Sequence, residues 1–335
     1  MKAPSILAVI LNYRTADMTL EAAESALREL EGLNGELVIV DNNSGDGSFE
    51  AIQAEVIARQ WPVRVVQSGH NGGFGAGNNF GMRAGLSTGQ DPDFYYILNS
   101  DAFPDAGSIR ALRDYLVTHA NVGFAGSYIH GPAGDAHQTA FRFPSALGEL
   151  EGAMRFGPVS RILRDVIVPL PVPTETVMVD WLAGASIMMR AQTLAEIGLF
   201  DETFFLYFEE TDLCRRASLA GWPTVYVRES EVTHIGSAST GMKDWSRVPD
   251  YWFDSRWHYF VKNHGLVYAA FATLLHLKGG VFHSLRCLIE RKPQTVSPKF
   301  LRHLCSHAVR SLFARKAHQN VPKLGIGPVT EGDTL

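Results

Sequence analysis

Cysteine is scarce in this chain: three residues in 335, at Cys214, Cys287 and Cys305. None stands in a C-x-x-C spacing, so a zinc ribbon or a thioredoxin-like pair is not available. The odd number and long separations point to reduced thiols rather than a disulfide framework. Long hydrophobic runs are missing too. The longest, Gly265 to Leu277, is broken by His276 and falls short of the roughly 20 residues that span a bilayer. The N-terminal run Ile6 to Leu11 is too short for an export signal, and Asn12 ends it without a small-residue cleavage site. It reads instead as a buried first strand. Neither sign of charge dominates: 30 Lys and Arg against 35 Asp and Glu leave a net charge of −5, which gives no case for nucleic acid as the main partner. These absences describe a soluble chain, or one at most peripheral to a membrane.

Two phosphate-binding signatures are also absent. The glycine-rich stretch GHNGGFGAGNNFGMRAG invites a dinucleotide reading, but the spacing fails. After Gly73 and Gly75 the third glycine position holds Asn78, and after Gly75 and Gly77 it holds Phe80. No G-x-x-x-x-G-K-[ST] loop occurs either. The glycines then either make a tight strand-to-helix turn or let the backbone approach a ligand, with the Asn78 and Asn79 amides beside it.

What is present is an ordinary globular composition, 46% hydrophobic and 19% charged, enough for one large α/β domain with an appendage or for two domains. Strand and helix patterns alternate over the first hundred residues: SILAVILN, a helix from Thr15 to Leu30, a strand Glu36 to Asp41, a helix from Asp46, the strand VRVVQS, a helix over Asn78 to Leu86, and a strand Phe94 to Asn99. This alternation predicts a mostly parallel sheet flanked by helices. Ligands in such sheets bind at the carboxyl ends of the strands. Four polar sets occupy those ends: Asn12-Tyr13-Arg14, Asp41-Asn42-Asn43, Gly69-His70-Asn71 and Asn99-Ser100-Asp101. Each alone is a common turn sequence; together they predict one shared rim.

Further along, Gly131 to Pro173 is rich in Gly and Pro and reads as an irregular, mobile loop over the site. VMVDWLAGASIMMR predicts one or two buried strands, YFEETDLCRRASLAG a helix closed by Gly221, and PTVYVRES a further strand. From about Arg247 the character changes. Residues 251–320 hold 11 Lys and Arg against two acids, Asp254 and Glu290, with aromatics interleaved as in YWFDSRWHYFVKNHG. This is a helical region with a basic, partly amphipathic surface. It either packs on the main domain or meets an anionic membrane surface. The terminal TEGDTL reads as disordered.

Three constellations carry chemistry. Asn99 and Asp101, two apart in extended backbone, face one side, so both oxygens approach a point where a hard cation such as Mg²⁺ binds. His234 follows a strand, where a lone His is either structural or a ligand. In FLYFEETDLCRR, the carboxylates of Glu209, Glu210 and Asp212 follow a run of aromatics. Successive helical residues diverge by about 100°, so Glu209 and Glu210 do not address the same hydroxyl. Asp212 falls on another face again, suited to hold the helix start or Arg215 or Arg216.

In family order, AVILNYRT, LVIVDNNSGDGS, NGGFGAGNNFG, YILNSDA, WLAGASIMMRAQTLAEIGLFDETFFLYFEETDLCRR and VTHIGSAS resemble the inverting glycosyltransferases of family 2, nearest their bacterial rhamnosyltransferase-like subgroup. The match runs over roughly residues 5–240, and SRWHYFVKNHG is similar to a segment that often follows the catalytic domain. The resemblance implies a GT-A fold over residues 1–245 and a helical, basic region over 246–335, which either meets a membrane surface or forms a dimer interface in a homo-oligomer. It implies that Asp41 contacts the nucleotide base, and that Asn12, Arg14 and Thr15 line the base and ribose pocket. Asn43, Asn71, Gly73 and Asn78 complete the nucleotide-sugar set. Asn99-Ser100-Asp101 corresponds to the D-x-D motif that holds the donor diphosphate through Mg²⁺ or Mn²⁺. Asn in the first place removes one charge and puts more weight on Asp101, with His234 completing the metal site. Trp181 to Ala185, Gly184 included, lies beside the sugar and acceptor pocket. Glu210 is implied as catalytic base, with Glu209 an acceptor-side neighbour.

The implied reaction moves L-rhamnose from dTDP-L-rhamnose to a cell-surface glycan or a polyprenyl-linked acceptor, at the inner face of the cytoplasmic membrane. Other donors remain open: UDP-galactofuranose, UDP-glucose or UDP-N-acetylhexosamine. So does a non-catalytic nucleotide-sugar-binding subunit, against which Glu210, Asp101 and Asp41 together argue. A nucleotidyltransferase would carry a glycine- and lysine-containing loop near its start, which LNYRTADMT is not.

Overall fold

The computed structural model describes residues 3–236, 247–293, 297 and 299–313. The boundary expected at 245/246, the end of VTHIGSAS and the TEGDTL tail lie outside the described residues. The N-terminal half is the expected alternation. Strands β1 (Ser5–Asn12), β2 (Asn34–Asp41), β3 (Val63–Gln67) and β4 (Phe94–Asn99) alternate with helices α1 (Ala16–Leu30), α2 (Ser48–Ala58) and α3 (Gly73–Arg83). After them come β5 (Ala102–Pro104), α4 (Ser108–Thr118), β6 (Phe124–His130) and β7 (Ala140–Phe141).

The central sheet has the order β3-β2-β1-β4-β10-β6-β11-β5, where β10 is Ser186–Arg190 and β11 is Thr224–His234; β8 (Val177–Val179) pairs with β11. Six of these nine strands run one way, β1 to β4 with β6 and β11, while β5, β8 and β10 oppose them. β1 is covered on both faces, so Ile6 through Ile10 are fully buried and the run is continuously apolar rather than alternating. β7 pairs with β9 (Trp181–Leu182) in a separate two-stranded sheet.

Three expectations are corrected. Helix α3 starts at Gly73, five residues earlier than Asn78, and ends at Arg83. Its glycines, open in the sequence between a tight turn and a close backbone approach to a ligand, let the helix lie close on the sheet: a Cβ at Gly77 would stand 2.4 Å from a Leu11 methyl, and one at Gly81 2.4 Å from a Val9 methyl. The stretch Gly131 to Pro173 is not one loop. It contains α5 (Ala146–Met154), where Ser145 Oγ accepts from Gly148 N, and α6 (Gly157–Ile162). Third, VMVDWLAGASIMMR supplies three short strands, and Val177 and Met178 of the first are exposed at an edge.

The remaining helices are α7 (Ala191–Ile197), α8 (Glu209–Leu219), α9 (Asp250–His264), α10 (Leu266–Glu290) and α11 (Phe300–Phe313). The aromatics of α9 turn inward: Phe253, Tyr259 and Phe260 are buried, and the last two join Phe204 and Ala146 in one apolar cluster. Lys262 bridges the fully buried carboxylates of Asp201 and Asp212, each at 2.8 Å. Arg256, also buried, pairs with Glu149 of α5 at 2.8 Å. The C-terminal helices are therefore bonded into the body that holds the sheet.

Candidate active site

The four polar sets do meet at the carboxyl end of the sheet. Asn12 Nδ2 donates to Asp41 Oδ1 at 2.7 Å, Asn42 Nδ2 donates to Asn71 Oδ1 at 3.0 Å, and Thr15 Oγ1 donates to Ser100 Oγ at 3.0 Å. Above them lies a cleft of about 340 Å³ lined by Tyr13, Asn42, Asn71, Gly73, Phe74, Asn99, Ser100 and Asp101, and closed by Phe205, Leu206 and Tyr251.

Several expected binding residues stand behind this surface rather than on it. Asp41 is fully buried and accepts from Asn12, from Ser44 N and Oγ, and from Gln67 Nε2. Asn12, also fully buried, accepts from Thr15 and Thr19. These groups hold β1, β2 and α1 in register beneath the cleft. Asn78 is buried within α3, donating to Phe74 O. Asn43 has φ 55 and is exposed, because this left-handed residue turns its side chain to solvent; its neighbour Asn42 lines the cleft instead. Arg14, exposed and also left-handed at φ 58, donates through Nε to Ser44 O.

At the other end of the cleft, β11 delivers His234 to Asp101. His234 Nε2 is 3.0 Å from Asp101 Oδ1, and Ile235 N donates to Asp101 O. Asn99 Oδ1 is buried and has no partner among the described residues. With Asn99 Nδ2 3.5 Å from His234 Nε2, the Asn99 amide, the Asp101 carboxylate and the His234 imidazole lie together as a donor set that fits Mg²⁺ or Mn²⁺. A second group, Asp105, His130 and Glu231, brings its ligand atoms within 4.8 Å of one another at the opposite end of β5. Its groups are already engaged: His130 with Asp105 at 2.9 Å and Glu231 with Arg228.

The chain from Phe205 to Phe208 forms a strap between this cleft and a second one. Tyr207 and Phe208 both sit at left-handed φ, 70 and 69, directly before α8. Aromatic residues there cost about 1–2 kcal/mol each, a strain held in place by Phe74 N donating to Phe205 O and Ser255 Oγ donating to Leu206 O. Only a glycine at 73 allows that approach, since a Cβ would fall 1.8 Å from Phe205 O. The strap aims the start of α8 into a cleft of about 330 Å³ lined mainly by apolar groups, among them Trp181, Tyr207, Phe208 and Trp252, with the carboxylates of Glu149, Glu151 and Glu210 and the imidazole of His276.

Glu210 has an oxygen with no partner. Burial pushes its carboxyl up to about 7, although its own backbone N–H and that of Gly184 hydrogen-bond to it. Glu209 is buried more deeply; burial and the adjacent Glu210 charge push it well above the carboxylate range. It packs toward Gly75 of α3, away from the Glu210 cleft. Asp212 points elsewhere, to Arg216 and Lys262 at 2.8 Å each, which is the structural role expected of it. Glu149 lies across the cleft. Its burial would raise its pKa, but the Arg256 charge and a hydrogen bond with His276 outweigh that and hold it at about 2. It stays ionised and paired, whereas Glu210 has no ion-pair partner among the described residues.

The profile described as Glycosyltransferase like family 2 matches residues 3–248. The chain belongs to this family. Over 221 residues this glycosyltransferase is 31% identical to the N-acetylglucosaminyl-diphospho-decaprenol L-rhamnosyltransferase of Mycobacterium tuberculosis (strain ATCC 25618 / H37Rv), a match covering 61% of the chain and 68% of that relative. It is 36% identical to rhamnosyltransferase WbbL of Escherichia coli (strain K12) over 67 residues, 19% of the chain and 25% of that protein. Among solved structures it resembles the mannosyltransferase PcManGT from Pyrobaculum calidifontis in complex with GDP-Man and Mn²⁺, with TM-score 0.52, 12% identity, and 94% and 89% of the two chains covered. S. aureus TarS 1-349 in complex with UDP-GlcNAc gives TM-score 0.51 at 14% identity over 90% and 79%. At such identities the likeness concerns the fold, which is the GT-A architecture implied by the sequence motifs.

Within this glycosyltransferase, sequence reasoning missed Tyr251, Trp252, Glu149 and His276 as cleft residues. The aromatic spacing of YWFDSRWHYF carried a signal for the first two. Nothing in the sequence placed Glu149 and His276 opposite Glu210, because only the packing of α5 on α10 does so.

Proposed function

We propose that this glycosyltransferase is an inverting, metal-dependent enzyme that moves L-rhamnose from dTDP-L-rhamnose to a lipid-linked or cell-surface glycan acceptor, working at the inner face of the cytoplasmic membrane. The observation that carries the reading is Glu210, unpaired and shifted to about 7 in an aromatic-lined cleft, one strap away from the polar cleft at the sheet's carboxyl end. The donor sugar and lipid-linked acceptor are supported by the names of the relatives at 31% and 36% identity.

The polar cleft would hold the nucleotide diphosphate over Asn42, Asn71 and Ser100, with Tyr13 and Tyr251 as walls. Asp101, Asn99 and His234 would hold the divalent cation, which when bound supplies charge neutralisation to the departing diphosphate. Trp181, stacked on Phe141, and Trp252 would form apolar walls for a sugar beside Glu210, whose carboxylate the Gly184 N–H fixes. Glu210 takes the proton of the acceptor hydroxyl as that oxygen bonds to the anomeric carbon and the bond to the diphosphate breaks. One carboxylate on the acceptor side gives inversion, since retention by double displacement would need a second, nucleophilic group.

Incubation with dTDP-rhamnose, UDP-galactofuranose, UDP-glucose, UDP-N-acetylhexosamines and GDP-mannose, with and without Mg²⁺ or Mn²⁺, tests the reading. Metal-stimulated hydrolysis is expected for dTDP-rhamnose above the others. Preference for a UDP or GDP sugar would replace the donor, and full activity in chelator would remove the metal.

A further inference from the structure

Among the described residues, nothing packs over an apolar stripe of helix α10. Val267, Phe271, Leu274, Val281, Leu285 and Ile289 are 85, 49, 47, 51, 55 and 80% exposed. At 100° per residue they fall in a sector of about 80°, and at 1.5 Å per residue the stripe is roughly 33 Å long. Single exposed apolar residues need no explanation, but a continuous band of this length marks an interaction surface.

The helix cannot turn this band inward. Its opposite face is made of small residues fixed by close contact: a Cβ at Gly279 would lie 2.7 Å from Leu150 O, and one at Gly280 2.5 Å from a Leu301 methyl. The stripe is also positively charged. Lys278 is exposed at its midpoint, Arg286 flanks it, and Arg291 and Lys292 follow its C-terminal end. The one acid of α10, Glu290, pairs with Lys292 at 2.9 Å and with Arg286 at 3.8 Å, leaving Lys278 and Arg291 as the charges it does not pair with. Beside α10, α11 adds Lys299 and Arg302 at its start and Arg310 in its last turn, which with Arg247 and its partner Asp250 line a depression of about 390 Å³.

We propose that the outward face of α10 seats on an anionic bilayer surface, with the helix lying in the interface plane. Such helices combine an apolar band with basic residues, and each Lys or Arg near an anionic leaflet adds to the attraction. No described helix is long and apolar enough to cross a membrane, so the contact is to the surface. A second copy of the chain fits less well. Antiparallel two-fold pairing centred on the band would set Lys278 against its own copy. The seating has a consequence that rests on the proposed function: the inner side of α10 carries His276 into the Glu210 cleft, so a lipid-linked acceptor in the membrane would lie about one helix diameter, roughly 10 Å, from that wall.

The test is sedimentation of the full chain with vesicles of phosphatidylcholine alone or mixed with phosphatidylglycerol, together with sedimentation equilibrium without lipid. Binding to the anionic vesicles is expected, reduced by salt and lowered roughly tenfold or more by Leu274→Glu with Leu285→Glu. Lys278→Glu should weaken binding to the anionic vesicles and not to the neutral ones. Donor hydrolysis in free solution, which these exposed positions leave unchanged, shows that the variants fold. Wild-type protein left in the supernatant with both vesicle types overturns the proposal, as does equal binding by the double variant. A lipid-free dimer that the double variant dissociates would assign the band to a second copy instead. Vesicle binding without hydrolysis of any donor would sink the proposed function and leave the docking surface standing.

Discussion

Glu209 and Glu210 are adjacent in sequence and separated by environment. Glu210 borders the cleft and accepts from Gly184 N–H, while Glu209 packs toward α3. As a base, Glu210 acts only when ionised. With its carboxyl raised to about 7, kcat/KM is expected to climb as pH rises through that region and level off above it. Glu210→Gln should lower transfer about 10²- to 10⁴-fold and abolish that rising limb, while nucleotide-sugar binding by calorimetry stays near wild type. Near-normal turnover in the variant would end the assignment. The sequence raised the three acids of FEETD as a cluster in an apolar setting, and the family resemblance implied Glu210 as the base with Glu209 beside it. It did not show the two left-handed residues, Tyr207 and Phe208, that aim them, because nothing local marks an aromatic residue for positive φ.

At the scale of elements, β1 to β4 were legible, while the first turn of α3 and the whole of α5 were not. β1, β2 and β4 are runs buried on both faces, which leave an unbroken apolar signature. α3 and α5 are rich in glycine, and local propensity argues against helix there. In α3 tertiary contact overrides it. Gly77→Ala improves propensity but sets a Cβ against Leu11 and Asn42, so a net loss of about 1–3 kcal/mol is expected by urea denaturation. A stabilised variant would show that α3 has room to move. Between α8 and α9, Lys262 answers two buried carboxylates at once. Lys262→Met leaves Asp201 and Asp212 short of a cation and should cost about 3 kcal/mol or more. Unchanged stability would mean that His258 and Arg216 suffice. Asp212 was readable as a partner for Arg216 from its i,i+4 spacing, but Lys262, fifty residues on, was not.

Over the whole molecule, opposed carboxylate shifts shape the pH dependence of folding. Glu149 at about 2 and Asp201, held low by His258 and Lys262 against its burial, have folded pKa values below their ordinary 4.5 and 3.8. Their stabilisation is complete above those values and is lost as pH falls through the folded ones. Glu210 has the reverse sign. Its folded pKa of about 7 exceeds the ordinary 4.5, so the native state holds the extra proton between them and stability falls as pH rises across that window. Denaturation midpoints should therefore rise from pH 7 toward 4.5 and drop steeply below it. Glu210→Gln should flatten the first change and leave the second. A wild-type curve without the acid-side drop would show that Glu149 and Asp201 are not held as their ion pairs indicate.

The sequence by itself determined the parallel half of the sheet and the polar rim at its carboxyl end, because those depend on periodicity and on which residues directly follow a strand. Tertiary structure decided which of those residues face the ligand. It buried Asn12, Asp41 and Asn78 beneath the cleft and turned Asn43 to solvent. It brought Glu149 and His276 opposite Glu210, and it set the apolar band of α10 outward. The reason is physical: whether a polar side chain binds or supports depends on the solvent and partners around it, and those come from other elements, 29 residues away for Asn12 and Asp41 and 127 for Glu149 and His276.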